Sequence, residues 1–368
     1  MHNNSDFQAY RSETLNNVIK KLRSSNKPLA IWGCGAEGKR VLEFLHGNNL
    51  YPDCFMDSDP QKQWSLMEDK YPIVSPMTVL RTKSHYVVVS SVKFLGEMKS
   101  DLIRSDFVEN IDCFFFTSTL LLLLRDIVNA NYGYCPICEN ETTFVEIGTW
   151  LRSGYRCLGC GTIPRQRSLI RRVNSFVPRW KELIVHEASP SDISLSYFAE
   201  RCPTYSYSFY YPEIPRGSNF NGVRCEDLES LTYTDNSIDI FITQDVFEHI
   251  MNPELAFREI ERVLKVGGYH IFSVPIYGNN ESIQRAKITP DGIAYLAEPE
   301  YHGSFLVAYH HSLDIIEKIG SNMLTTIVVE RDRNFGIDGE FLDIFICKKI
   351  KPSVARKYSC SGQQMRSK

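Results

Sequence analysis

Three groups of residues in this 368-residue chain have the types and spacing to do chemistry. Cys135-Pro136-Ile137-Cys138 and Cys157-Leu158-Gly159-Cys160 are two C-x-x-C pairs with 18 residues between them. Each pair is a tight knuckle whose sulfurs converge, and the spacing is that of a four-thiolate zinc ribbon. Four thiolates (Cys135, Cys138, Cys157 and Cys160) close a tetrahedral zinc shell and leave no open position, so the expected role is structural. Two redox pairs, or chance, are the alternatives, and neither explains the symmetry of the knuckles. The second group, Gly33-Cys34-Gly35-Ala36-Glu37-Gly38, is a G-x-G-x-x-G run. Gly33 permits a tight turn, Gly35 lets backbone approach a phosphate, and Gly38 lets helix and strand pack closely. Asp57 stands near the ~20-residue offset at which a carboxylate holds a ribose hydroxyl. The third group is Gln244-Asp245-Val246-Phe247-Glu248-His249, a loop carrying an amide, two acids and an imidazole.

The elements that must position these groups read as α/β. Leu29–Trp32 is a short apolar strand before the glycine run, and Val41, Leu42, Phe44 and Leu45 supply helical periodicity behind it. Cys54–Met56 and Tyr86–Ser90 are two further strands. Around the third group, Ile238–Thr243 is an apolar strand, and Asn252-Pro253 is an N-cap and first-turn pair. Leu255, Ala256, Ile260, Val263 and Leu264 form one helical face, with Arg258, Glu259, Glu261 and Arg262 toward water. Gly267-Gly268 is expected to end that helix, and Tyr269–Val274 is the next strand. This is a βαβ crossover in a parallel sheet. Its loop lies at a strand's carboxyl end, where open α/β sheets bind ligands. A loop that merely solvates the strand end is the plain alternative.

Composition bounds the partners. Net charge is −3 with 23% charged residues, which gives no general reason to expect nucleic acid. The longest apolar run, Phe114–Leu124, is too short to span a bilayer at roughly 20 residues. The amino terminus has no signal-peptide pattern. Eleven cysteines without an export signal point to a reducing, cytoplasmic compartment. Outside the knuckles they are expected as small buried hydrophobes. Arg165, Arg167, Arg171 and Arg172 crowd one helix start, as an anion site or as a solvated, salt-bridged face.

The third group and its surroundings resemble the core of class I S-adenosylmethionine-dependent methyltransferases (type 11-like). The pattern there is a D-x-x-x-E-H loop followed by E-x-x-R-V-L-K-x-G-G. Asp245, Glu248-His249 and Glu259 to Gly268 match it. Cys160-Gly161, Arg165 and Arg167 also match the knuckle-to-domain passage of that family. The resemblance implies methyl transfer from S-adenosylmethionine to a small-molecule or glycan acceptor, in sugar or surface-polysaccharide biosynthesis. It implies cofactor contacts at Glu187, Ser189, Glu213, Asp227, Leu228, Gln244 and Asp245, with Asp227 accepting from the adenine amino group. The first strand is expected at Glu182–His186, and there the chain departs from the family. Ala188-Ser189-Pro190 stands where the pattern has glycines. Strands are expected at Thr204–Tyr210, ending near Glu213, and at Val223–Cys225. His302 and His249 are candidate general bases, since unperturbed imidazole titrates near working pH. Leu324–Val329 and Phe341–Cys347 are read as the terminal antiparallel strands.

The amino-terminal part resembles Rossmann-like domains of glycan and sugar-nucleotide biosynthesis through Asp57-Ser58-Asp59-Pro60-Gln61-Lys62 and Pro72-Ile73-Val74-Ser75-Pro76. NAD, a nucleotide-sugar or no ligand are the readings this leaves open. The expected layout is two Rossmann-like doubly wound domains joined by a small zinc ribbon. It comprises a helical lead-in at 1–27, an accessory domain at 28–130, the ribbon at 131–168, the methyltransferase domain at 169–350 and a disordered tail at 351–368. The rival functions are an NAD-dependent sugar-nucleotide oxidoreductase, run by Gly33, Gly35, Gly38 and Asp57, and a non-catalytic scaffold.

Overall fold

The computed structural model describes residues 4–278 and 281–351, so the expected tail lies outside them apart from Lys351. Contacts gather into two compact units: residues 1–150 with 154–161, and residues 151–153 with 162–368. The chain is α/β in both. The four knuckle cysteines are therefore part of the first unit, and the boundary falls just after Gly161.

The first unit opens with helix α1 (Asn4–Arg23), the expected helical lead-in, which packs through buried Phe7, Val18, Ile19 and Leu22. There follow β1 (Leu29–Trp32), α2 (Ala36–His46), β2 (Pro52–Met56), β3 (Leu66–Met67), β4 (Tyr71–Val74), α3 (Pro76–Thr82), β5 (Tyr86–Val89), α4 (Leu95–Arg104), β6 (Cys113–Phe115) and α5 (Ser118–Leu123). The sheet order is β3-β4-β2-β1-β5-β6, with every pair parallel except the edge strand β3. Side chains alternate across β1: Leu29 and Ile31 enter one core layer, Ala30 and Trp32 the other. The apolar run Phe114–Leu124 is split between β6 and α5, both buried. A three-stranded sheet completes the unit: β7 (Ile127–Cys135), β8 (Asn140–Ile147) and β9 (Tyr155–Cys157). Strands β7 and β8 form a hairpin whose turn is the first knuckle, and β9 pairs with β8.

Between β8 and β9 runs the short helix α6 (Leu151–Gly154), whose residues 151–153 belong to the second unit. That unit continues with α7 (Pro164–Phe176), β10 (Val185–Ala188), α8 (Asp192–Ala199), β11 (Ser206–Phe209), β12 (Asn219–Phe220), β13 (Val223–Cys225), β14 (Ile238–Gln244), α9 (Pro253–Val263) and β15 (Leu264–Ser273). Small two-stranded sheets follow, made by β16 (Ile283–Gln284), β17 (Ala286–Thr289), β18 (Gly292–Tyr295), β19 (Tyr301–His302), β20 (Phe305–Leu306) and β21 (Tyr309–His310). The hairpin β22 (Met323–Val328) and β23 (Ile344–Lys349) closes the unit. The eight-stranded order is β12-β13-β11-β10-β14-β15-β23-β22. Strands β13 to β15 run parallel, and β23 is antiparallel to β15, as the carboxyl-terminal hairpin led one to expect.

Several local expectations are corrected. The first strand of this sheet starts at Val185, because Trp180–Glu182 forms a 3-10 turn. Helix α9 stops at Val263, so Gly267-Gly268 does not end it. Leu264 already pairs with Ile238 and Tyr269 with Ile240, so residues 265–268 bulge from the ladder. Gly267 takes φ +90°, and a Cβ on Gly268 would sit 2.8 Å from the Asp239 carbonyl oxygen. On α9 the buried face uses Phe257, stacked 4.2 Å from Phe247 between ring centroids, while Leu255 is exposed. Asn252 starts the helix without a side-chain cap; its amide donates to Glu229.

Candidate functional site

Strand order reverses in the sheet between β10 and β14, and the carboxyl ends of those strands define the cleft position of a doubly wound fold. Ala188 ends β10 and Ser189 follows in the left-handed region at φ +53°. The Ser189 N–H donates to the Ser208 carbonyl at 2.8 Å. Ser191 then caps α8: its hydroxyl accepts from the Ser194 N–H at 3.2 Å, and the Ser194 hydroxyl accepts from the Ser191 N–H at 3.0 Å. The turn that glycines would build is thus built by serines. Glu187 points inward, where it is fully buried and accepts from the Tyr205 hydroxyl at 2.8 Å. Burial pushes its carboxyl up to about 7.

Strand β11 ends at Phe209, and Glu213 lies beyond it on an exposed turn, not at the strand end. Asp227 follows β13 half-buried, accepting from the Glu229 N–H at 2.9 Å, and burial raises its carboxyl. Leu228 beside it is buried. Gln244 ends β14 and donates its amide to the Arg165 carbonyl at 3.0 Å. Asp245 takes φ +53°, and its buried carboxylate is ion-paired with both Arg152 and Arg165 and accepts from Ser273 at 3.1 Å. Burial alone would raise that carboxyl, but the two guanidinium groups hold it below its ordinary value. Of the other arginines, Arg171 and Arg172 form the expected salt-bridged face, while Arg167 does not. Arg167 is fully buried and donates to the Gly336 and Thr162 carbonyls, while Arg171 and Arg172 pair with Glu330.

One turn on, Phe247–His249 is a 3-10 helix that presents Glu248 and His249. His302, on β19, joins them: its Nδ1 lies 3.9 Å from Glu248 Oε1, and His249 Nε2 lies 4.0 Å from the same oxygen. Burial, then the neighbouring Asp245, pushes the Glu248 carboxyl up to about 8. Two histidines far apart in sequence thus meet at one carboxylate.

Residues 206–272, from β11 to the end of β15, match the family described as a methyltransferase domain. The methyltransferase-domain match thus falls within the eight-stranded sheet of the second unit. No curated protein matches the sequence. Among solved structures, the chain is similar to an S-adenosylmethionine-dependent methyltransferase from Mesorhizobium loti (10% identity, TM-score 0.34, covering 50% of this chain and 97% of that one). It is similar to an amino pentose methyltransferase from Micromonospora echinaspora solved with S-adenosylmethionine (11%, 0.34, 52% and 93%). A third is the 1,6-didemethyltoxoflavin-N1-methyltransferase of Burkholderia thailandensis (12%, 0.33, 51% and 79%).

The four cysteines of the first unit lie together, all sulfurs within 4.8 Å of one another. Cys135 to Cys160 is 3.7 Å and Cys138 to Cys157 is 3.9 Å. Thiolates at about 2.3 Å around a tetrahedral zinc sit about 3.8 Å apart, so the donor set fits that ion. Elsewhere Cys54, Cys113, Cys202, Cys225 and Cys347 are buried, as small hydrophobes are.

The glycine turn of the first unit also forms. Gly33 takes φ +120°, and a Cβ on Gly38 would lie 1.9 Å from the Gly33 carbonyl oxygen, while the space beside Gly35 is open. Asp57 accepts from the Asp59 N–H at 2.9 Å and from Lys62 at 3.2 Å. Glu37, in the first turn of α2, pairs with Arg40 and Arg125. Nothing in this turn favours NAD over another ligand.

Sequence reasoning missed Arg152, which lies in the ribbon segment yet belongs to the methyltransferase unit and neutralises Asp245. No local motif marks it. The partners of Glu187, Tyr205 and Ser194, were likewise unmarked.

Proposed function

We propose that the methyltransferase domain moves a methyl group from S-adenosylmethionine to a small-molecule or glycan acceptor, in sugar or surface-polysaccharide biosynthesis. The observation that carries this reading is the family match over β11–β15, whose carboxyl ends bear Asp227, Gln244 and Asp245. The methyl passes in line from sulfonium to acceptor, and the protein supplies proximity and alignment. In this reading the Ser189 turn faces the amino-acid end of the cofactor, Asp227 and Leu228 face its adenine, and Gln244 borders the transferring group. Asp245 acts through the two arginines it holds. The four-cysteine cluster takes structural zinc, consistent with a reducing, cytoplasmic setting, and no helix among the described residues is long and apolar enough to cross a membrane.

Calorimetric titration of zinc-loaded protein with S-adenosylmethionine tests the first claim. One saturable site is expected, and no heat from folded protein refutes it. Elemental analysis tests the second: about one zinc per chain is expected, and its absence from freshly purified protein refutes it.

A further inference from the structure

Glu248, His249 and His302 have a geometry that the methyl transfer just described leaves unexplained. We propose that they form a divalent-cation site with an open side, on which the acceptor presents a hydroxyl. The acceptor half of this inference rests on the methyl-transfer reading; the cation half does not.

Four observations carry it. The three ligand atoms lie within 4.8 Å of one another, with Glu248 Oε1 at 3.9 Å and 4.0 Å from the imidazole nitrogens. Ligands bound at about 2.1 Å lie roughly 3–3.5 Å apart, so small side-chain rotations close the set on an ion. His249 is held by its other nitrogen, as metal-binding histidines are. His249 Nδ1 lies 2.8 Å from the Leu306 carbonyl, an acceptor only, so Nδ1 carries the proton and the Nε2 lone pair faces Glu248. His302 Nε2 faces Glu300 Oε1 at 3.6 Å, leaving Nδ1 toward Glu248. Glu300 is in turn held by His310 at 2.8 Å and Arg285 at 3.3 Å. Next, Glu248 is buried, and its Oε2 has no hydrogen-bond partner. A buried carboxyl in that state stays neutral unless a bound cation holds its charge. Finally, the set is only three ligands, and the His302 side chain is 45% exposed, so part of the coordination sphere opens to solvent. Closed four-ligand sets are structural; three ligands with an open position bind water or substrate.

The same arrangement argues against His249 as a free general base, since its lone pair points inward at Glu248. A cation there lowers the pKa of an acceptor hydroxyl, whose proton passes to solvent water. The acceptor oxygen then bonds to the methyl carbon, and the carbon–sulfur bond breaks with its electron pair going to sulfur. Neutral S-adenosylhomocysteine is the by-product. The acceptor class is therefore an alcohol or phenol, not an amine.

Manganese suits the carboxylate–imidazole set and not the thiolate cluster. Full-length protein holding about one zinc per chain, with excess zinc removed, is titrated with Mn²⁺ and the free ion is read by electron paramagnetic resonance. About one bound Mn²⁺ per chain is expected. Glu248→Gln and His302→Ala should each abolish it while retaining S-adenosylhomocysteine binding by calorimetry, and Glu300→Gln should weaken it about tenfold. Mn²⁺ left free by the intact protein, or bound unchanged by both ligand variants, overturns the site. Mn²⁺ bound as expected by a protein that does not bind S-adenosylhomocysteine upholds the cation and overturns the acceptor role.

Discussion

Both units use the same device, a central parallel strand that turns sharply into a helix, and they build it from opposite materials. In the first unit the turn after β1 is closed by absent side chains. Gly33 takes φ +120°, and Gly38 packs against the Gly33 carbonyl with no room for a Cβ. In the second unit the turn after β10 has no glycine. Ser189 accepts a left-handed backbone at φ +53°, and Ser191 and Ser194 close the helix start with side-chain hydrogen bonds. The neighbouring strand end, at Asp245, is held by ion pairs from Arg152 and Arg165. The unit with the better glycine fingerprint is not the one that matches a methyltransferase domain. A glycine run reports backbone that must pass closely, and that requirement exists with or without chemistry.

The comparison can be broken or sharpened by substitution, beginning with the charges. Asp245→Ala leaves Arg152, with a side chain only 7% exposed, beside an unpaired Arg165. It should cost the second unit about 3–5 kcal/mol, seen by chemical denaturation as loss of its transition at unchanged first-unit stability. Gly38→Ala is the counterpart in the first unit. A methyl group 1.9 Å from backbone oxygen forces the strand and helix apart, at about 3 kcal/mol, in the other transition.

Glu187 gives a pH dependence that the glycine turn lacks. Its folded carboxyl titrates near about 7, above the ordinary 4.5, because burial disfavours the charge. The folded state therefore holds a proton that the unfolded chain releases. Its relative stabilisation is complete below about 4.5 and is lost as pH rises through about 7. Comparing denaturation of the native chain with Glu187→Gln should show the native falling relative to the variant over that window, by about 3 kcal/mol. An identical pH slope in both would contradict the buried assignment.

The smallest effect is expected from Ser189→Gly. Relief of a left-handed non-glycine residue, about 1 kcal/mol, is largely offset by the greater freedom of glycine in the unfolded chain. Stability should rise by less than about 1 kcal/mol in the second transition. A loss would mean that the serine side chain, not only its backbone, supports the turn.

Much of this molecule was legible in its sequence. The βαβ crossover around Asp245, the glycine turn, the four-cysteine cluster and the terminal hairpin are local patterns, written in the strand and helix periodicities and in turn residues. The errors were local too. Gly267-Gly268 looked like a helix end because a bulge and a helix stop both call for glycine. Glu213 looked like a strand-end acid only because it was the nearest carboxylate in sequence.

What the chain determined by itself, then, is which elements form, which knuckle cysteines can share one ion, and that an aspartate, a glutamate and a histidine follow a central strand. The tertiary structure decided their partners. It brought Arg152 and Arg165 to Asp245, buried Glu187 under Tyr205, and set His302 beside Glu248 and His249. Most of those contacts join residues tens of positions apart, and the packing of whole elements, not the spacing of neighbours, brings their charges together.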